Sequence, residues 1–550
     1  MGKVQHDVWG SAESPVSSLQ TSIDSEIADN CAVIRHYQEL NRALRTRRNT
    51  LLRICSLPPE VLARIFSKCN ERHRVLASHV CRHWREVALS EPRLWSTLSL
   101  NVSSNTVWEQ VKFTRSRHAP LDLSVVMVDR NREGRVQRLQ DLREPLGQIP
   151  RTYKLDVHYD QDSAPLLYES LTAPVNNLRD LRLHYHIRDA GHRDIVFMPD
   201  TILPEGTPAL RLLSLHSCAF QWSSPIFVGL SHLALTNIPI HLRATPEQLL
   251  SVAQRSPGLK TLKVDLGLGG VEDAPSSWVT SSTIKLSRLQ SFDLAAPFNE
   301  YAGFLSHVEL PASASLKLEV GVFGMTPTDT SMSLVPGKFF SPREGAPRQV
   351  LQLEEWANRQ FSVRLYDLDE AEEWGSFHVH SSDARHRVNA TFMCSSDRKT
   401  ALREHVASTM ANSCLQVVHT LKVHTRYLSA DLPWTTLLLN ASQTQRLFVH
   451  LEKANMPEFL LAIDPRQWEG GSPPLPHLAE LHIRRNGTED WQDNVTLANV
   501  IDIVTSRKKA GMGLARLILE NWYTGSDVPV DEILESMRTV VADVQWRRRD

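Results

Sequence analysis

The sequence predicts an α/β chain: a long N-terminal helix, a compact three-helix unit, then an irregular arc of parallel strands with outer helices. Three observations predict it. No glycine or proline occurs between Val16 and Ile54, and apolar residues recur there at heptad spacing. The stretch from Ser56 to Leu100 opens on Pro58-Pro59 and continues with apolar residues at helical spacing. Beyond it an L-x-x-L-x-L cadence keeps returning.

The elements follow in order. Residues 1–15 are polar, with Gly10, Ser11, Ser14 and Pro15, and read as a flexible tail. Residues 16–54 form a long helix with coiled-coil character. Its seam is Val16, Leu19, Ile23, Glu26, Asn30, Val33, Tyr37, Leu40, Leu44, Arg47, Leu51 and Ile54. Glu26, Asn30 and Arg47 interrupt that seam, so the helix is expected to lie along the rest of the protein, with self-association left open. Arg42, Arg45, Arg47, Arg48 and Arg53 read as a solvated helical face.

Residues 55–100 form the three-helix unit. Pro58 and Pro59 suit a first helical turn, where a missing N–H costs nothing. Glu60 sits where the helix dipole favours an anion. Val61, Leu62, Ile65, Phe66 and Cys69 make one apolar stripe. A second helix is expected over roughly Arg72 to Ser78. A third carries Val80, Cys81, Trp84, Val87 and Ala88 on one side, stops at Pro92, and has Leu94-Trp95 just beyond. A unit of this size rarely buries all its apolar surface alone. An anchor such as Trp84 or Trp95 is therefore expected to be buried against another protein or the following domain.

This segment resembles an F-box. The L-P-x-E opening is carried by Leu57, Pro58, Glu60, Val61, Leu62, Ile65 and Phe66; the V-C-R-x-W core by Val80, Cys81, Arg82 and Trp84; the L-W close by Leu94 and Trp95. A charged helix leading into an F-box and then an irregular leucine-rich region is similar to the large F-box family of mushroom-forming fungi. The resemblance implies a substrate-recruiting adaptor of a cullin-RING (SCF-type) ubiquitin ligase, docked on its small linker subunit. It implies Leu57, Pro58, Leu62, Ile65, Phe66, Val80, Cys81, Trp84, Leu94 and Trp95 as linker-contacting residues. Some of these must instead form the unit's own core.

Residues 101–320 carry the cadence as Leu178, Leu181, Leu183; Leu210, Leu213, Leu215; Leu230, Leu233, Leu235; Leu259, Leu262, Val264; and Leu289, Phe292, Leu294. Residues 421–550 repeat it as Leu478, Leu481, Ile483 and Leu514, Leu517, Leu519. The second and third positions are two apart and share one side of a strand. The pattern resembles the strand of a leucine-rich repeat, but the spacing is uneven. Only Cys218 meets that family's Asn/Cys position; His186, Ile238, Gly267 and Pro297 stand at the others. Helical returns are expected from Thr245 to about Gln254, Asn299 to about His307 and Leu497 to Lys508. Residues 321–420 read as an irregular insertion or cap, with strands at Phe361 to Leu365 and Ser376 to His380. Residues between the leucines would face the concave side. Asp180, Arg182, His184, Ser214, His216, His232, Thr236, Lys263, Asp265 and Asp293 are the substrate-binding candidates.

Composition limits the function. Of 550 residues, 41% are hydrophobic and 22% charged, which excludes wholesale disorder. The formal net charge of -1, from 61 basic and 62 acidic residues, argues against polyelectrolyte binding to nucleic acid or an acidic membrane. Mean hydropathy is -0.28 and no apolar run suits a membrane span. The first ten residues lack the apolar core of a secretory signal. Seven cysteines without a C-x-x-C argue against a disulfide framework or zinc module. An intracellular, cytoplasmic or nuclear, protein is expected.

No cofactor and no metal are expected. His184 with His186, and His378 with His380, lack a third ligand at a set spacing. The acidic run Asp367, Asp369, Glu370, Glu372 and Glu373 lacks a calcium-loop pattern. Gly267, Gly269 and Gly270 read as a turn, because no lysine-serine follows. No catalytic motif stands out, so a non-enzymatic adaptor leads; a protein-interaction scaffold outside the ligase is the alternative.

Overall fold

A computed structural model describes residues 15–102, 107–128, 135–187, 197–203, 207–266, 283–322, 349–356, 360–367, 386–394, 415–425, 433–452, 455–468, 473–485, 494–522 and 529–547. The chain divides into two compact units after Ser124. The expected 1–15 tail, the strand at Ser376 to His380, the His378–His380 pair and the Gly267–Gly270 turn lie outside the described residues, apart from Pro15.

The first unit opens with α1 (Pro15–Thr50), a single uninterrupted helix. Its apolar residues Leu19, Ile23, Val33, Tyr37, Leu40 and Leu44 are all exposed. The expectation that this helix lies along the protein is thus corrected: residues 18–48 are all exposed, and the seam stands in solvent. A 3-10 turn, Arg53–Ser56, leads to α2 (Pro59–Lys68), α3 (Glu71–Val80) and α4 (Arg82–Ser90). Strand β1 (Thr97–Asn101) and helix α5 (Val107–Ser116) follow, and the division falls within strand β2 (Leu121–Val126). One boundary differs from expectation. Val80 ends α3 rather than starting α4, because Cys81 is extended (φ -154°, ψ 169°) and its sulfur accepts from the Trp84 N–H at 3.5 Å.

The second unit is built on β3 (Thr152–Tyr159), β4 (Asp180–Tyr185), β5 (Leu212–His216), β6 (His232–Thr236), β7 (Thr261–Asp265), β8 (Ile284–Lys285), β9 (Ser291–Pro297), β10 (Val308–Glu309), β11 (Ser315–Val322), β12 (Gln349–Trp356), β13 (Gln360–Asp367), β14 (His386–Cys394), β15 (Thr420–Thr425), β16 (Arg446–Leu451), β17 (Glu480–Arg485), β18 (Arg516–Glu520) and β19 (Asp543–Arg547). Strands β3 through β7, then β9 and β11, pair parallel in sequence order. The order then inverts: β11 pairs parallel with β14, β13 lies antiparallel between β14 and β12, and β12 pairs parallel with β15. Strands β15 to β19 again follow sequence order in parallel. The short β8 and β10 pair apart from this sheet.

Two apolar rows cross the whole array in register. One runs Leu155, Leu181, Leu213, Leu233, Leu262, Phe292, Leu316, and resumes at Leu351, Leu421, Leu447, Leu481 and Leu517. Its companion starts at Val157, Leu183, Leu215 and Leu235. These residues are buried. Each fully buried aliphatic side chain contributes about 1.5–3 kcal/mol, and a one-residue slip would turn a strand's whole set outward. The rows therefore hold the register across the inverted strands as well.

Helices return outside the strands at Pro246–Arg255, Phe298–His307 and Asn494–Lys509, close to the expected bounds. Thr245 and Gln248 form a reciprocal capping box at the first. No asparagine ladder was expected, and other side chains take its place. The Cys218 thiol donates to the Leu183 carbonyl at 3.6 Å and the Trp522 indole to the Ile483 carbonyl at 3.1 Å. Both sit three residues past the second apolar position of their strand. Burial pushes the Cys218 thiol up to about 12. Cys218 should therefore resist alkylation at neutral pH in the native protein while exposed Cys31 reacts, as read by mass spectrometry of modified peptides. Modification of Cys218 as fast as Cys31 would contradict its placement.

Candidate functional site

In the first unit, the ten residues implied by the resemblance divide into two sets. Leu62, Phe66, Leu94 and Trp95 are buried and form the interior together with Ala77, Val87 and Ala88. Leu57 and Trp84 are half-buried and pack against that cluster, with the Trp84 ring 5.2 Å from Phe66. Cys81 is half-buried as well, at the start of α4. Pro58, Ile65 and Val80 are exposed, Ile65 to 42% and Val80 to 61%.

Trp95 shows why the division falls there. It is only 2% exposed, and its indole N–H donates to the Ala88 carbonyl at 2.7 Å. The Trp108 ring of α5 meets it edge-on at 6.1 Å, and the Arg115 guanidinium lies 4.6 Å over its face. Of the two expectations for this indole, another protein or the segment that follows, the second holds: α5, which follows residues 55–100, covers it.

Helix α5 is tied down by charge. Glu71 of α3 accepts from the Trp108 indole at 2.7 Å, and buried Lys112 lies 3.1 Å from Glu71 and 2.7 Å from Glu109. Burial raises the Glu71 carboxyl, but hydrogen bonds from Trp108 and Lys112 and the Lys112 charge outweigh it and leave it below its ordinary value.

Sequence reasoning missed part of the outward surface. Val61 stands one turn before Ile65 on α2, and Leu76 one turn before Val80 on α3; both are exposed. The signal was present as an i, i+4 apolar pair on each helix. Leu62 and Phe66, one position further along α2, point inward, so α2 is apolar on two sides rather than one.

Residues 54–101 match the family model described as F-box-like. The chain carries an F-box-like domain. Comparison with curated proteins found no match. An F-box-like domain points to protein–protein interaction, typically with the small linker subunit of an SCF ligase.

In the second unit, the candidate residues alternate with the buried rows. Arg182, His184, Ser214, His232, Lys263 and Asp293 line one shallow groove of about 390 Å³ on this face. Asp180, His216, Thr236 and Asp265 occupy the same strands outside the groove lining. The face is knitted by polar contacts: Arg182 donates to Asp180 at 3.1 Å, Lys263 lies 3.5 Å from Asp293, and the His216 ring bonds Thr236 at 3.0 Å. Burial and the nearby His158 hold His184 below the usual imidazole range. Groove chemistry is mixed in sign.

From β12 to β17 many of the alternate positions are buried too. Gln352, Glu354, Lys422, His424, His450, His482 and Arg484 are all enclosed. Glu354 meets Arg364 at 2.7 Å and His424 at 3.2 Å, while Glu520 meets His482 at 3.0 Å. Burial, reinforced by Arg446, depresses Lys422 to about 8. Among the described residues this face is therefore enclosed in the middle of the array and open again at β18 and β19, where Arg516 and Arg547 are exposed and Asp543 partly so.

Two predictions follow from the first unit. Trp95→Ala should cost about 3–5 kcal/mol, whereas Val80→Ala should stay within about 0.5 kcal/mol, in denaturant titrations followed by hydrogen exchange of α2–α4 amides. Equal effects would contradict the division. A carboxyl with a depressed folded pKa adds stability that is present above its unfolded pKa and is lost as pH falls through the folded one. Glu71→Gln should accordingly be less stable than wild type at neutral pH and converge with it in acid, by urea unfolding across that range.

Proposed function

We propose that the protein is the substrate-recruiting adaptor of a cullin-RING ubiquitin ligase of the SCF type. The observation that carries this reading is the F-box-like match over residues 54–101, on helices that leave Val61, Ile65, Leu76 and Val80 uncovered. A domain this small that keeps apolar side chains in water gains by covering them with a partner, at about 25 cal/mol per Å². The linker subunit of the ligase is that partner, meeting Pro58, Ile65 and Val80 directly and Leu57, Cys81 and Trp84 at their exposed edges. Leu62, Phe66, Leu94 and Trp95 support the surface from within.

The open face of β4 to β9 receives the target. Arg182, His184, Ser214, His232, Lys263 and Asp293 supply the groove, and Asp180, His216, Thr236 and Asp265 extend it. Holding target and ubiquitin-charged enzyme in one assembly turns a bimolecular encounter into a local one. No residue of this chain need perform bond chemistry, and the protein acts inside the cell, where the ligase works. The exposed seam of α1 is the surface through which two copies would associate. Among the described residues, no helix is long and apolar enough to cross a membrane.

Ile65→Asp with Val80→Asp should reduce linker affinity at least tenfold without unfolding, because both side chains already stand in solvent. Binding of the purified full chain to the linker subunit by calorimetry reads this directly, and unchanged affinity would contradict the docking surface. Arg182→Ala with Lys263→Ala should lose the target in affinity purification while retaining the linker. Recovery of linker without cullin would favour the scaffold reading outside the ligase.

A further inference from the structure

The open face carries a second constellation, on β3 and β4. These strands pair with His158 beside His184, and β5 adds His216 in the same row. The His158 and His184 rings stack at 4.4 Å with 6° between their planes. Asp156 lies two residues before His158, so both side chains share one face of the strand. Its Oδ1 stands 3.8 Å from His158 Nε2 and 3.6 Å from His184 Nε2. That oxygen is buried and accepts no hydrogen bond among the described residues. Across the ring, His158 Nδ1 lies 3.0 Å from His186 Nε2.

We propose that Asp156, His158 and His184 bind one divalent transition-metal ion of the Zn²⁺ class. Two imidazole nitrogens and a carboxylate oxygen make a donor set suited to such an ion and poor for Ca²⁺ or Mg²⁺. One candidate ligand atom from each residue lies within 4.8 Å of the others. A tetrahedral ion with bonds of about 2.0–2.1 Å keeps its ligands roughly 3.3 Å apart, so the carboxylate contacts must close by up to about half an ångström and the two stacked rings must turn out of parallel to aim their nitrogens at one ion. The desolvated Asp156 Oδ1 accepts no hydrogen bond among the described residues, and a cation held between it and the two imidazole nitrogens would give it a partner.

His186 completes the arrangement as a positioning residue. When His158 Nδ1–H donates to His186 Nε2, the lone pair of His158 Nε2 is left for the metal, the usual outer-shell device for fixing a ligating imidazole. The three ligands come from two strands, which is why the spacing of His184 and His186 alone gave no metal motif. One coordination position remains for water or for a donor brought by a bound partner.

The test is titration of Zn²⁺ alone into metal-free full-length protein by calorimetry, with Co²⁺ absorption reporting geometry. The expected result is one tight site per chain, with tetrahedral Co²⁺ bands. Asp156→Asn, which preserves shape, and His184→Ala should each weaken binding at least tenfold. His186→Ala should weaken it by about tenfold through loss of orientation. His477→Ala, an exposed histidine outside the cluster, should leave Zn²⁺ binding unchanged. His158→Gln serves where His184→Ala proves poorly folded by circular dichroism. Absence of Zn²⁺ binding at millimolar ion, or binding that survives Asp156→Asn and His158→Gln unchanged, would overturn the proposal.

Discussion

Each element in this protein is too thin to hide more than part of its own surface, and the side turned inward decides what is left for others. In the second unit that constraint is the pair of apolar rows that begins at Leu155 and Val157 and is handed from strand to strand. Because side chains alternate along a strand, burying one set commits the intervening set to the opposite face. Arg182, Ser214, Ala234, Lys263 and Asp293 are thereby presented side by side, although they are scattered over more than a hundred residues of sequence. The groove is a consequence of the register rather than of any local motif.

The same constraint acts differently in the three-helix unit. There the interior accepts Leu62, Phe66, Leu94 and Trp95, and α5 closes over Trp95 with Trp108 and Arg115. What the interior cannot accept is a second apolar side on α2 and α3, and Val61, Ile65, Leu76 and Val80 stay in water. An isolated module would gain solubility by making these positions polar. Their aliphatic character fits a surface that a partner could cover.

The fold was legible where periodicity is strong. The helix expected over residues 16–54 and found over Pro15–Thr50, the cadence of Leu181 to Leu294 and the T-P-E-Q start of the helix after Thr245 are local signals, and local signals were enough to place these elements. The inversion of β12, β13 and β14 was not legible, because strand order is set by pairing between distant segments. Nor was the split among the ten F-box positions: Phe66 and Ile65 are adjacent and equally apolar, and only packing separates them. Strand β3 was overlooked since Lys154-Leu155-Asp156-Val157-His158 carries one leucine where its neighbours carry two. With it the histidine cluster was missed, for Asp156, His158 and His184 meet only once β3 and β4 are paired. The enclosed polar face beyond β12 was likewise invisible, as a buried Glu354 or His482 looks no different in sequence from an exposed one.

The account stands on the idea that the F-box-like helices meet a linker subunit with the sides they leave uncovered. Hydrogen–deuterium exchange of the full chain, with and without that subunit, tests it most directly. Added protection should concentrate in peptides spanning 57–66 and 76–84, with the strands from β3 onward unaffected. Protection confined to those strands, or none anywhere at saturating linker, would contradict it.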